Sequence, residues 1–169
     1  QANYGEFSGE RRLSQDELSL LRNWIKEGCR PEAGVSIAED QKAVTAGNGK
    51  WRSGKPDLII SMDEAFTVPA DGKDLYRCFV FPLNLSENKF VSHVEFHPGN
   101  SRVVHHALFF LDSLQEARKK DKADPGPGFS SFGGPGFLPT GALGGWAPGN
   151  SMLALPDGVA RLLRKNSDL

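Results

Sequence analysis

The chain has 169 residues, 38% of them hydrophobic and 24% charged, and its formal net charge is −1. A chain of this length can build one good core, or one domain with a smaller piece of another. The near-neutral charge gives no basic surface of the kind that binds nucleic acid, so we expect no nucleic-acid partner. No apolar run approaches the ~20 residues that cross a bilayer, so we expect no membrane span. The first residues also lack the basic and then apolar segments of a signal peptide.

The clearest predicted helix covers residues 11–28. Ser14 and Glu17 have the spacing of a capping box, in which Ser14 is the N-cap. Apolar residues then recur at three- and four-residue spacing and form one stripe. Gly28 has the position of a left-handed C-cap, which ends the helix. The sequence therefore predicts an N-terminal amphipathic helix.

Residues 32–56 have the composition of a linker, because small and charged residues dominate and apolar periodicity is weak. This places a domain boundary between residues 1–31 and residues 57–169. The second part consists of short apolar or alternating runs separated by turn residues. The predicted strands are residues 57–62, 65–68, 74–82, 90–96 and 102–111. Because they follow one another without intervening helices, we expect a mainly β fold, an antiparallel, jelly-roll-like β-sandwich.

A short helix is predicted after the last of these strands. Asp112 has the position of its cap, and Gln115 would complete a capping box. The glycine- and proline-rich stretch that follows, residues 124–150, contains several aromatic residues. These favour a long ordered loop over the end of the sandwich.

The N-terminal helix has two interpretations. It could dock on the main domain, or it could be the tail of a different domain. Residues 7–14 (FSGERRLS), followed by residues 24–28 (WIKEG), resemble the end of a c-type cytochrome domain. This resemblance implies haem only in an upstream part that the present sequence does not contain, so residues 1–31 are not expected to bind haem by themselves.

Histidines are the residues most able to carry metal chemistry. His93 and His97 lie at a strand and its following turn, and we expect them to be partly exposed and without a metal. His105 and His106 lie within the longest apolar run, and burying two imidazoles is costly unless each has a partner. A shared metal is one such partner, and a structural pair with one core and one surface ring is the alternative.

Motifs around this pair resemble the copper type II, ascorbate-dependent monooxygenases, the family of the peptidylglycine and dopamine monooxygenases. They are residues 94–108 (VEFHPGNSRVVHHAL), 145–149 (GWAPG) and 155–159 (LPDGV). The resemblance spans roughly residues 57–169 and corresponds to the N-terminal copper domain of that family. A cytochrome-like tail before it is an arrangement found in large bacterial fusion proteins.

The resemblance implies that His105 and His106 are two of three ligands of an electron-transfer copper. The third histidine would come from a strand that begins just after Leu169. The oxygen-activating copper needs a His-x-His pair and a methionine from a second domain, and this sequence has no His-x-His pair. We therefore expect the chain by itself to be catalytically incomplete.

The partners that the family implies are a small-molecule or peptide substrate and an electron donor, either an ascorbate-like reductant or a cytochrome. The implied location is periplasmic or otherwise extracytoplasmic. Two other functions stay open. The chain could be a copper or electron-relay module fed by a cytochrome domain, or a non-catalytic β-sandwich binding module in which the histidine pair is structural.

Overall fold

The computed structural model describes Gly5, residues 12–31, residues 51–150 and residues 152–169, with Met152 described by its backbone alone. The chain divides into two compact units, residues 1–44 and residues 45–169. Most of the predicted linker, residues 32–50, lies outside the described residues. The same holds for residues 7–11 of the cytochrome-like motif.

In the first unit, helix α1 covers Gln15–Lys26, as predicted. The capping box at its start is confirmed. The Ser14 hydroxyl accepts a hydrogen bond from the Glu17 N–H (3.2 Å), and the Glu17 carboxylate accepts one from the Ser14 N–H (2.7 Å). Gly28 has a φ of +83°, which a glycine adopts without strain, so the helix ends where the sequence indicates. No residue of α1 is buried.

In the second unit the described strands pair into four antiparallel two-stranded sheets. β1 (Arg77–Cys78) pairs with β5 (Phe129–Ser130), and β2 (Lys89–Val91) pairs with β8 (Arg161–Leu163). β3 (His93–Glu95) pairs with β7 (Met152–Ala154), and β4 (Ala107–Leu111) pairs with β6 (Gly141–Trp146). Helix α2 (Glu116–Ala123) follows β4. The prediction of a β-rich fold with antiparallel pairing is confirmed.

Two of the predicted strands were wrong. Residues 57–62 and 65–68 form no strand, although they carry the apolar and β-branched residues of one. Ile59 stays 57% exposed. A strand needs a neighbour for its backbone hydrogen bonds, and these segments have none among the described residues. The prediction for residues 74–82 was too long, since only β1 forms there.

A small core lies where the sheets meet. Leu111, Leu143 and Leu163, from β4, β6 and β8, are buried together. Partly buried apolar side chains pack around them: Leu83, Leu85, Val91, Val94, Phe109 and Leu169. Burial of such side chains contributes ~1.5–3 kcal/mol each, so this cluster holds β4 and the C-terminal residues in place.

The end of β4 is fixed by hydrogen bonds of a buried carboxylate. Asp112 is 3% exposed and accepts hydrogen bonds from the N–H groups of Leu114 (2.9 Å) and Ala117 (2.8 Å). Asp112 therefore does accept a hydrogen bond from the first turn of α2, but the predicted N-cap position was wrong by three residues. The predicted Gln115 box is not formed, because Gln115 is itself the N-cap residue, with a φ of +61° and no side-chain hydrogen bond to the helix.

The C-terminal residues lie between two segments. Leu169 exchanges two backbone hydrogen bonds with Phe81 (2.8 and 3.0 Å), and Asp168 exchanges two with Asp112 (2.8 and 3.0 Å). The buried Asp168 carboxylate also binds both Nε and Nη2 of Arg118 on α2, at 2.5 and 2.6 Å. Among the described residues, no helix is long and apolar enough to cross a membrane.

Candidate metal centre

His105 and His106 lie immediately before β4, and both are exposed. The expectation of a buried strand through the pair was therefore wrong. The reason is a turn that delays the strand. The side chain of Asn100 accepts a hydrogen bond from the Arg102 N–H (3.1 Å), and its carbonyl accepts one from the Val103 N–H (3.2 Å). Both imidazole rings stay in contact with solvent, so neither carries the desolvation cost of a ring buried in a strand.

The two rings stand close to each other. Their centroids are 5.3 Å apart and their planes are inclined at 70°. An imidazole nitrogen binds a divalent metal such as zinc at about 2.0–2.1 Å, which puts the metal about 3.2 Å from the ring centroid. Two rings that share one metal at a tetrahedral angle then have centroids about 5 Å apart. The spacing of His105 and His106 is therefore compatible with one shared metal ion.

The pairing of β4 with β6 fixes the backbone directly after the two histidines. Ala107, the residue after His106, is opposite Trp146. The Trp146 ring packs on Phe96 (centroids 5.4 Å apart), and Phe96 packs on Phe109 of β4 (5.5 Å). These contacts hold the first residue of β4, which directly follows His106, beside an aromatic cluster.

Gly145 permits the close approach of β6 to β4. A Cβ atom there would lie 2.8 Å from the Ala107 carbonyl oxygen and 2.8 Å from a Leu108 methyl group. Real Cβ atoms essentially never come so close to backbone. The glycine that precedes Trp146 is therefore needed for this pairing.

The three motif segments named in the sequence lie near one another. β3, within the first motif, pairs with β7, and Leu155 of the third motif donates a hydrogen bond from its N–H to the Ser92 carbonyl (2.9 Å). Leu153 of β7 lies against Gly144 of β6, beside the second motif. The first and third motifs are therefore joined through the β3–β7 pair, and β7 also contacts β6, which leads into the second motif.

The other two histidines have different partners. His93 is exposed, and its Nδ1 lies 2.9 Å from the Ser92 hydroxyl. His97 is also exposed, with its Nε2 2.7 Å from a Glu95 oxygen and its ring 4.6 Å from that of Trp51. Neither lies in a group of three or more histidine, cysteine or acidic residues that could hold a metal, and the described part of the chain contains no such group.

Glu95 is a polar centre that the sequence interpretation missed. Its carboxylate accepts hydrogen bonds from His97 (2.7 Å) and from the Arg52 N–H (2.9 Å). Burial raises the pKa of Glu95, but these hydrogen bonds lower it by more, so the pKa lies below its ordinary value. The available signal was the Glu-x-His spacing, which puts both side chains on one side of an extended segment.

One further ionic contact joins β1 to the end of α2. The Arg77 guanidinium binds Asp124 in a bidentate manner, at 2.7 and 3.2 Å, and this contact lowers the pKa of Asp124. Burial raises the pKa of the Cys78 thiol. Arg77 and Asp124 stabilise the loop after α2, and Cys78 is the neighbour of Arg77 on β1. We therefore assign them no chemistry.

No family model matches the chain, and no curated protein or solved structure does either.

Proposed function

We propose that this protein is a copper-binding domain related to the copper type II, ascorbate-dependent monooxygenases, in which His105 and His106 supply two ligands of the electron-transfer copper. The observation that carries the proposal is the pair itself: two exposed imidazoles with centroids 5.3 Å apart, held at the start of β4. Imidazole suits copper, zinc, iron and nickel, so the choice of copper rests on the family resemblance.

The packing of the motifs supports this assignment. In a chance resemblance, the histidine motif and the Gly-Trp motif would have no reason to be neighbours. Here the residue after His106 pairs with Trp146, and Gly145 is required for the close approach. The motifs therefore behave as parts of one structural unit around the pair.

We further assign the second unit to an antiparallel, jelly-roll-like β-sandwich, with α1 as an amphipathic helix ahead of it. The support is the set of four antiparallel pairs and the core that joins β4, β6 and β8. In such a sandwich the inner faces of two sheets share one core. The proposal also includes two assignments from the sequence. Residues 1–31 are the tail of a cytochrome-like domain, and residues 32–56 are a linker.

The copper, when bound, would accept an electron from a reductant and pass it on. The chain's own contribution is to hold two imidazoles at the surface, where a reductant can approach. An ascorbate-like molecule or a cytochrome domain would be the donor, and a small molecule or peptide would be the substrate of the oxygenase as a whole. The same family resemblance implies an extracytoplasmic location.

The pairing at the C-terminus supports the position of the expected third ligand. Asp168 pairs antiparallel with Asp112, at the far end of β4 from the histidines. A strand that continued beyond Leu169 in this register would run back along β4 and reach the level of His106. That is the place where a third imidazole could meet the first two.

Copper affinity tests the proposal. We expect the protein to bind one equivalent of Cu(II), measured by competition with a chromophoric chelator. His105→Ala and His106→Ala should each weaken binding by on the order of tenfold or more, which corresponds to ~1.4 kcal/mol or more. His93→Ala is the matched control, because His93 is also exposed and interacts with Ser92, away from the pair in sequence. Equal affinity in all four proteins would contradict the proposal.

A further inference from the structure

A short loop between β5 and β6, residues 131–138, is tied to the rest of the fold at both ends. At its start, the Ser131 N–H donates a hydrogen bond to the Tyr76 carbonyl (3.2 Å). Just after its end, the Thr140 N–H donates one to the Leu111 carbonyl (2.8 Å). We call residues 131–138 the apolar loop, because of the side chains that it exposes. Its backbone has a defined place at the Leu111 end of β4.

Two large apolar side chains of the apolar loop are almost completely exposed. Phe132 is 82% exposed and Leu138 is 90% exposed, the two highest values among the described large apolar side chains. The Phe132 ring packs edge-on against that of Tyr76, with centroids 4.8 Å apart. That contact covers little of Phe132, so both side chains present most of their apolar area to the solvent.

Exposed side chains from two other segments adjoin the apolar loop. One is Tyr76, which directly precedes β1. The other is Leu114, which follows Ser113, and the Ser113 N–H donates a hydrogen bond to the Thr140 hydroxyl (3.0 Å). Single exposed apolar residues occur on any protein surface, whereas an apolar patch assembled from three segments is typical of an interaction site.

A lysine ammonium group lies against the middle of the apolar loop. A Cβ atom at Gly136 would lie 3.1 Å from Lys120 Nζ and 3.2 Å from the Ser131 hydroxyl oxygen. The ammonium group is therefore beside the loop backbone. The same Nζ lies 5.8 Å from the centroid of the Phe129 ring, so the side chain of Lys120 extends from α2 toward β5 and the loop.

Lys120 has no carboxylate partner among the described residues, although α2 contains four basic and two acidic residues. Two other basic residues of this helix, Arg118 and Lys119, are each bound to a carboxylate. Lys120 is exposed, and no salt bridge neutralises it in the described part of the chain. Its positive charge beside the apolar loop is therefore available to an anionic partner.

The apolar loop lies away from the path of the proposed continuation of the chain. The loop is tied to β4 at Leu111, the last residue of that strand. A strand that continued beyond Leu169 would run along β4 away from Leu111 and toward His106. Such a strand leads away from the apolar loop, so it does not account for the exposure of the loop.

We propose that the apolar loop docks on the surface of a bilayer that contains anionic lipids. Phe132 and Leu138 would enter the headgroup and upper acyl region, and the Lys120 ammonium group would contact anionic headgroups. Aromatic and leucine side chains beside lysine are the combination found in protein segments that lie in the membrane interface. Positive charge near the surface adds to the attraction when the lipids are anionic. This mode of binding needs no membrane-spanning helix and does not depend on copper.

A lipid surface fits these observations better than a folded protein partner. The anchor residues of a protein interface lie in well-packed surroundings, with a rim of further contacts around them. Phe132 and Leu138 instead extend into the solvent with little protein around them. A fluid lipid layer can surround such side chains without a complementary shape.

Cosedimentation of the 169-residue protein with lipid vesicles tests this inference. The vesicles contain equal parts of phosphatidylcholine and phosphatidylglycerol. We expect the parent to bind, and the variant with both Phe132→Ser and Leu138→Ser to have a partition coefficient lower by about tenfold or more. Lys120→Gln should lower the coefficient by about fivefold. Phe90→Ser is the matched control, because Phe90 is 73% exposed on β2, and it should bind as the parent does.

All these variants change exposed side chains, so circular dichroism should show the fold and the Tm of the parent. Failure of the parent to bind the vesicles would overturn the proposal. So would equal binding by the parent and the double variant, because it would assign the binding to another segment, such as the exposed apolar stripe of α1. Self-association without vesicles that the double variant lacks would assign the apolar loop to a second copy of the chain, and would also overturn the proposal.

Discussion

The backbones of Asp112 and Asp168 exchange two hydrogen bonds, 2.8 and 3.0 Å long, which join the end of β4 to the C-terminal residues. The same Asp112 uses its side chain to cap α2, and Asp168 uses its own to bind Arg118 on α2. β4, α2 and the C-terminal residues are therefore held at one point by two buried carboxylates. The opposite end of β4 carries the histidine pair.

Asp112→Ala should destabilise the second unit. The change leaves the N–H groups of Leu114 and Ala117 without their acceptor, and loss of a helix cap costs about 0.5–2 kcal/mol. Chemical denaturation followed by circular dichroism measures the loss. Asp71→Ala, at an exposed position, is the control and should change stability by less than about 0.5 kcal/mol. Equal stability of the two variants would show that the cap contributes nothing.

Gly145→Ala should disturb β4 and, through it, the metal site. The added Cβ would meet the Ala107 carbonyl oxygen at 2.8 Å, so β6 must move away from the residue next to His106. Overpacking of this kind costs about 1–3 kcal/mol, and we expect weaker copper binding as well as a lower Tm. Both are measured on the same purified variant.

Gly99→Ala is the matched control for this change. No heavy atom lies within 4 Å of a Cβ built at Gly99, and its φ is not in the left-handed region. It should leave both copper affinity and Tm close to those of the parent. If Gly145→Ala behaved in the same way, the close β4–β6 approach would not be what positions the histidines.

Lowering the pH should weaken the hydrogen bonds that the Glu95 carboxylate accepts from His97 and from the Arg52 N–H. The pKa of Glu95 in the folded protein lies below its ordinary value of 4.5. As pH falls through that value, the unfolded state takes up the proton first, so stability present at neutral pH is lost progressively below about pH 4.5. Glu95→Gln removes this titration.

Urea unfolding at pH 7 and pH 4 measures this effect. The parent should be more stable than Glu95→Gln at pH 7, and the difference should shrink at pH 4. Other carboxylates with lowered pKa values, Glu17, Glu87 and Asp124, act in the same direction in both proteins, so the comparison isolates Glu95. A difference that stays constant or grows as pH falls would contradict the sign of the shift.

Some elements could be predicted from residues that lie close together in the sequence. Helix α1 could be predicted because its capping box, stripe and terminal glycine all lie within fifteen residues of one another. The contact of Asp112 with the first turn of α2 is similarly local. Strand pairing depends on distant partners, so residues 57–62 have the composition of a strand but form none.

The assignment of His105 and His106 as metal ligands stays a prediction, and the exposed environment of the two rings was not predicted. The pattern of residues 102–111 does not reveal that Asn100 would form a turn that delays the strand to Ala107, which leaves both rings exposed. The hydrogen bond from the Arg52 N–H to Glu95 was also missed, since it joins positions 43 residues apart. Side-chain geometry between distant segments is fixed only when the whole unit folds.

The ligands of bound Cu(II) can be counted directly by electron paramagnetic resonance. In the parent protein with one equivalent of Cu(II), we predict nitrogen hyperfine coupling from two imidazoles. That coupling should fall to one imidazole in His105→Ala and in His106→Ala, and should be lost in the double variant. His93→Ala and His97→Ala should keep the parent spectrum. A spectrum that is the same in the parent and in the His105 and His106 variants would contradict the assignment of the pair as copper ligands.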